Sequence, residues 1–172
     1  MVKKSVQVRQ AILRWYRRVG RTLPLRETKD PYAIAVSETK LQQTQVSRVY
    51  PKYVAWLQAF PTTKKLATAA TRSILQYWSG LGYNSRALRL RAMAQEIERR
   101  GQWPTTKEAL QELPGFGPYT AGAVAIFAFQ AKTFAIDTNI RRVLSRIFFG
   151  ARKTPNEQQL VRLATSLVPD RQ

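Results

Sequence analysis

An all-α fold of about nine short helices is predicted by three features of the sequence. Apolar residues recur at three- and four-residue spacing along most of the chain. The strict alternation of a half-buried strand is nearly absent. Capping residues stand where helices should begin. With 172 residues, 44% of them hydrophobic, the chain can build a real core, as one domain or as two small lobes. It carries no internal repeat and no low-complexity tract.

Residues 3–19 place Val6, Ile12, Leu13, Trp15 and Tyr16 among basic residues, the pattern of a basic amphipathic helix. Gly20 and the Pro24–Arg26 stretch break it. Asp30 and Pro31 start the next helix, as cap and first-turn proline. The apolar run Tyr32 to Val36 leads into Ser37-Glu38, and the polar cluster Leu41-Gln42-Gln43-Thr44-Gln45 follows. Helical spacing returns over 46–60, with short helices near 63–69 and 71–79 and a turn at Leu81–Asn84. Residues 85–99 read as helix, closed by Gly101. Thr105 and Glu108 have the spacing of a capping box for a short helix ending at Leu113. After Pro114-Gly115-Phe116-Gly117-Pro118 an apolar helix runs to about Gln130, and Asp137 opens another that carries Ile140, Val143, Leu144, Ile147 and Phe148. Thr154-Pro155-Asn156-Glu157 caps the last helix, with the proline at its first position.

The charge balance narrows the partner. With 29 Lys and Arg against 10 Asp and Glu, the net charge is +19, which calls for a polyanion: nucleic acid first, an anionic membrane surface second. Residues 1–86 hold 16 basic and 3 acidic groups, against 13 and 7 in residues 87–172, so the N-terminal half is expected to supply much of the phosphate contact. No apolar run reaches the length of a membrane span, and the basic N-terminus lacks the apolar core of a secretory signal. The chain has no Cys and no His, which removes disulfides, Cys/His zinc sites, thiol nucleophiles and imidazole bases. Acid–base chemistry is left to ten carboxylates, Tyr and Lys.

Two kinds of residue carry candidate chemistry. The glycine hairpin at 114–118 exposes backbone N–H groups at a helix start, which suits a phosphate; an ordinary tight turn fits it equally. Glu38 follows the apolar run Ala33-Ile34-Ala35-Val36, where burial would disfavour its ionised form and let it hold a proton as a general acid. An exposed helix glutamate is the plainer alternative, and Asp137 is likewise a preferred helix cap.

These blocks resemble the helix-hairpin-helix DNA glycosylases (HhH-GPD), and within them the adenine glycosylase (MutY) family. The resemblance rests on Asp30-Pro31-Tyr32, Ser37-Glu38, Leu41-Gln42-Gln43-Thr44-Gln45-Val46, Gly80-Leu81-Gly82-Tyr83, the run from Leu113 to Ala123, and Asp137-Thr138-Asn139-Ile140-Arg141-Arg142-Val143. They fall in family order over two-thirds of the chain. The resemblance implies a six-helix lobe over 25–133, with the hairpin at about 107–130, and a second lobe combining a helix within 1–24 with residues 134–172. It implies an intracellular, bacterial base-excision repair enzyme acting as a monomer on duplex DNA with a mismatched or oxidised base pair. The enzyme would hydrolyse the glycosidic bond of adenine opposite 8-oxoguanine or guanine.

In that family frame Glu38 would protonate the leaving adenine and Asp137 would stabilise the oxocarbenium-like sugar, with Tyr119 and Asn139 beside them as catalytic-site residues. Gln43 and Tyr83 would wedge into the base stack next to Leu41 and Thr44. Arg26, Gln42 and Arg86 join the DNA-contacting set, and Gly115, Phe116, Gly117, Tyr119 and Thr120 form the phosphate-holding hairpin. Members that also cut the strand carry Lys where Tyr119 stands, so a monofunctional glycosylase is expected. A thymine or uracil glycosylase and a catalytically silent DNA-binding module are the alternatives.

The chain departs from the family pattern in several places. Leu25 stands where Trp is typical, which would weaken a stacking contact near the adenine pocket, and Asn84 replaces a common aromatic. Lys40 follows Glu38 closely; aimed at the carboxylate it would lower its pKa, and otherwise it would face DNA. The second lobe is expected to be incomplete, as a fragment or as a reduced variant. Residues 1–20 would then expose apolar surface. The family's four-cysteine iron–sulfur loop and its separate oxidised-guanine domain have no counterpart in this sequence. No cofactor is expected.

Overall fold

A computed structural model describes residues 2–150 and 155–168. The described residues form ten α-helices and one 3-10 turn, with no strand among them. That is one helix more than the pattern counts. Each of the ten nevertheless stands where the sequence reading places a helix, the five-residue Thr63–Ala67 and Lys107–Gln111 included.

Helix α1 (Val2–Val19) leads through the 3-10 turn Pro24–Arg26 to α2 (Pro31–Leu41), the central helix. Asp30 caps α2, its carboxylate accepting from the amides of Tyr32 (3.0 Å) and Ala33 (3.4 Å). Every residue from Tyr32 to Lys40 is buried, as expected for a helix apolar on nearly all sides. Helices α3 (Val46–Ala59), α4 (Thr63–Ala67), α5 (Thr71–Trp78) and α6 (Ser85–Arg100) wrap one side of it. Trp56 makes edge contacts with Phe60 (5.1 Å) and Trp78 (5.6 Å). The Tyr32 hydroxyl accepts from the Trp56 indole and donates to Phe60 O, so no polar atom of this aromatic knot lacks a partner. Gly101 ends α6 in the left-handed region.

Helices α7 (Lys107–Gln111) and α8 (Pro118–Phe129) form the hairpin. Six consecutive small or β-branched residues of α8, Thr120 to Ala125, are buried, and their size allows close packing against α2. The cap of α7 is Thr106, accepting from the Ala109 amide, and not Thr105. The intervening segment crosses to α9 (Thr138–Phe149), which packs with α10 (Glu157–Leu167) around Leu144, Leu160 and Leu163. Asn156 and Gln159 form the capping box of α10, so Pro155 precedes the cap instead of opening the helix; Thr154 lies outside the described residues.

Helix α1 returns to this second cluster: the Ser5 and Ser166 hydroxyls lie 3.2 Å apart, and Lys4 donates to Ile147 O. Its further half leaves Ile12, Leu13, Trp15, Tyr16 and Val19 exposed, as the sequence anticipates. Among the described residues no helix is long and apolar enough to cross a membrane.

Candidate functional site

Where α2, the start of α8 and the start of α9 converge, a pocket of about 470 Å³ opens. It is lined by Glu38, Leu41, Gln42, Gln43, Tyr119, Asp137, Thr138 and Asn139. The two carboxylates singled out in the sequence therefore share one cavity. Glu38 is only 4% exposed, which removes the plain reading of an exposed helix glutamate. Burial holds its pKa above the usual carboxylate value and the nearby Asp137 adds to this, while the Tyr119 hydrogen bond and Arg26 act in the opposite direction. The Tyr119 hydroxyl donates to Glu38 Oε2 at 3.0 Å and so fixes the carboxyl's orientation. Its own pKa is driven up, first by burial and then by Glu38, so it stays a donor.

Asp137 fills both roles considered for it. Oδ1 caps α9 by accepting from Ile140 N (2.7 Å), and Oδ2 accepts from Asn139 Nδ2 (3.3 Å) at the pocket wall. Arg142 donates to Asn139 Oδ1 (3.1 Å), which leaves the Asn139 amide group directed at Asp137. The cap holds the carboxylate still, and the pocket gives it access. Thr138, which the sequence reading did not single out, lines the pocket too; its place after Asp137 was the available signal.

Beside the pocket, Gln43 and Tyr83 occupy the left-handed region (φ 59° and 48°) and face a common cleft with Gln42, Ser85, Arg86 and Arg89. Non-glycine residues in this region cost free energy and cluster at functional sites. Tyr83 is 70% exposed, a large ring standing out into solvent. Thr44 donates to Gln42 O at 3.3 Å and closes the turn between them.

Arg86, expected among the DNA-contacting residues, lines the same cleft but commits its guanidinium to the backbone. It is buried, and its guanidinium donates to four carbonyls, those of Thr39 (3.0 Å), Gln42 (2.7 Å), Leu81 (3.1 Å) and Gly82 (3.2 Å). With its donors turned inward it ties the Gln43 turn to the Tyr83 turn. Sequence shows only a cation after a Gly-rich turn.

Lys40 points neither at Glu38 nor outward. Its amine is fully buried, 4.4 Å from the ring centres of both Trp56 and Trp78, with no hydrogen-bond partner. Burial, aided by Lys52 and Arg86, pushes its pKa down to about 7. Leu25 sits in the core and does not line the pocket, while Arg26 lies 5.3 Å from the Phe127 ring, close enough to act on Glu38.

In the hairpin turn, Gly115 has φ 84°, and a Cβ there would come within 2.8 Å of Arg89 Cβ. Gly117 is extended and faces open space, so glycine there leaves room for something to approach. The first-turn amides of Tyr119 and Thr120 have no acceptor within α8 by the geometry of a helix start, which suits an anion. Phe116 and Thr120 themselves are buried, so any contact they make is through the backbone.

An iron–sulfur cluster needs thiolates, and this chain has no Cys; among the described residues no acidic cluster could hold a metal either. The residues present do not fit the group.

Against known proteins, residues 36–170 match the model of the HhH-GPD superfamily base excision DNA repair proteins. The chain is 43% identical over 97% of its length to the adenine DNA glycosylase of Homo sapiens and 41% identical over 92% to that of Mycolicibacterium smegmatis, spanning 33% and 55% of those proteins. It is 35% identical to a thymine/uracil-DNA glycosylase of Pyrobaculum aerophilum, covering 94% of this chain and 73% of that one. A solved thermostable thymine-DNA glycosylase superposes with a TM-score of 0.89 at 30% identity, over 97% of this chain and 79% of that one. Endonuclease III from a non-covalent DNA complex superposes at 0.71 with 16% identity, over 95% and 84%, which bears on the fold alone. The chain, whose described residues hold helices and no strand and set a glycine hairpin ahead of a helix-capping aspartate, is matched over most of its length and belongs to the HhH-GPD superfamily of base excision DNA repair proteins.

Proposed function

We propose that this chain is a monofunctional DNA glycosylase that hydrolyses the N-glycosidic bond of adenine mispaired with 8-oxoguanine or guanine. The observation that carries the reading is the buried, Tyr119-bound Glu38 opening on the cavity it shares with Asp137. A carboxyl whose pKa burial raises holds its proton more readily, which suits the acid that an adenine leaving group needs. Glu38 gives its proton to the adenine ring as the C1′–N bond breaks and the electron pair leaves with the base. Asp137, held in place by the Ile140 amide at the start of α9 and by Asn139, faces the positive charge left on the sugar. Water then adds at C1′, and its proton returns to the carboxylate pair.

Reaching this pocket requires the base to leave the stack. The exposed Tyr83 and the Gln43 turn, braced together by Arg86, are suited to fill the space it vacates. The amides of the hairpin, at Gly117 and the start of α8, suit a backbone phosphate. Among the described residues no lysine lines the pocket, and Lys40 is sealed between indoles on another side of α2, which supports a reading without a Schiff base to the sugar. We further propose the lobe division 25–133 and 1–24 with 134–172, supported by the two separate core clusters, and a monomer working on DNA inside the cell.

Thymine or uracil opposite guanine is the second reading, favoured by the 0.89 superposition on a thymine-DNA glycosylase. A panel of duplexes with adenine opposite 8-oxoguanine, thymine opposite guanine and uracil opposite guanine, followed under single turnover, separates the two. Adenine release leaving an alkali-labile abasic site is the expected result. Preferential thymine release, or a product trapped by borohydride, would contradict the proposal.

A further inference from the structure

We propose that Lys107 and Gly122 are positioning residues for Asp137, clamping the segment between α8 and α9 onto α8. This rests on the functional reading above and deepens it. Three contacts support the clamp. The Lys107 amine donates to Phe134 O at 3.1 Å and lies 4.0 Å from the centre of the Phe134 ring, so one cation holds both the backbone and the side chain of that residue. A Cβ on Gly122 would come within 2.5 Å of Phe134 O and 3.2 Å of Ala135 Cα, so the segment lies flush on α8 where only glycine fits. At its near end Ala131 N donates to Ala125 O at 2.9 Å.

The consequence follows from where these contacts fall. Asp137 comes two residues after Ala135, and its capping bond to Ile140 N passes any shift of the segment directly to the carboxylate. Tyr119, which orients Glu38, stands on α8 three residues before Gly122, about one helical turn. The two carboxylates are far apart in sequence, yet both are registered against one rigid helix: Glu38 from its first turn, Asp137 from its middle. Neither Lys107 nor Gly122 lines the pocket or the hairpin cleft, so their role can be separated from DNA contact. Displacing one reacting group by about an ångström costs roughly a hundredfold in rate.

The test reads the Glu38 carboxyl by carbon-13 NMR titration in wild type, Lys107→Met, Lys107→Arg, Gly122→Ala and Asp137→Asn. The groups that act on Glu38 are Tyr119 on α8, Arg26 in the 3-10 turn and Asp137 at α9; of these Asp137 raises its pKa. Loss of the Lys107 cation by itself can only raise the Glu38 midpoint, whereas retreat of Asp137 lowers it. The clamp therefore predicts a downward shift in Lys107→Met and Gly122→Ala, in the direction of Asp137→Asn, with Lys107→Arg restored to wild type. Single-turnover base release should fall roughly ten- to a hundredfold in the first two while duplex affinity holds. A midpoint that rises or stays fixed in folded Lys107→Met overturns the clamp, whether or not Gly122→Ala folds. The titration needs no substrate, so a wild-type chain that released no base would overturn the glycosylase reading while the clamp was still decided.

Discussion

Glu38 and Lys40 lie two residues apart on one helix, both ionisable and both buried, and the fold treats them oppositely. Two helical steps turn the side chains roughly 200° apart. Glu38 faces α8 and α9, receives a hydrogen bond from Tyr119 and opens on a cavity. Lys40 faces Trp56 and Trp78, has no hydrogen-bond partner and opens on nothing. Burial moves both toward neutrality, the acid up and the base down. Burial alone does not make a site; an oriented partner and an opening do. A third buried charge, Arg86, shows the structural alternative: it too packs against Trp78, but its two terminal nitrogens donate to four carbonyls.

The largest effect that would sharpen this contrast is at Arg86. Arg86→Met leaves four buried or part-buried carbonyls without their donor, and the chain should lose about 3 kcal/mol, read by urea denaturation. Lys40→Met should move stability the other way, by about 2 kcal/mol, because an unpaired buried amine is replaced by an apolar chain of similar length. The sign of its pH dependence follows from the lowered pKa. The unfolded lysine holds its proton up to the ordinary range, while the folded one releases it near 7. The cost is complete below pH 7 and fades as pH rises toward 10, so the gain in Tm should be larger at pH 6 than at pH 9. A Lys40→Met chain less stable than wild type at pH 6 would mean that the two indole faces more than replace the lost water. Smallest is Tyr119→Phe. Loss of one hydrogen bond should slow base release about tenfold. Because that bond lowers the Glu38 pKa, the rate profile should also shift to higher pH.

Much of this architecture was legible in the sequence, because local chemistry writes local structure. Asp30 with Pro31, Gly101 and the Gly115 turn each specify their own helix boundary, and the apolar run before Glu38 announces a buried helix. The cap expected at Thr105 stands one residue later, at Thr106, and the start expected at Thr154-Pro155 stands two residues later, with Asn156 as the cap. What stayed hidden depends on distant residues meeting. Tyr119 reaches Glu38 across 81 positions, Arg86 reaches Thr39 across 47, and the cage around Lys40 is assembled from α3 and α5. A lysine beside a glutamate in sequence suggested a pair; helical rotation separated them.

The central claim is that Glu38 is the proton donor of this pocket. Single-turnover release of adenine opposite 8-oxoguanine by wild type and Glu38→Gln, with duplex affinity measured in parallel, tests it most directly. The amide keeps the size of the side chain and can still accept from Tyr119, but it has no proton to give. Base release should fall by at least about a hundredfold with affinity unchanged. Release at the wild-type rate by Glu38→Gln would contradict the account.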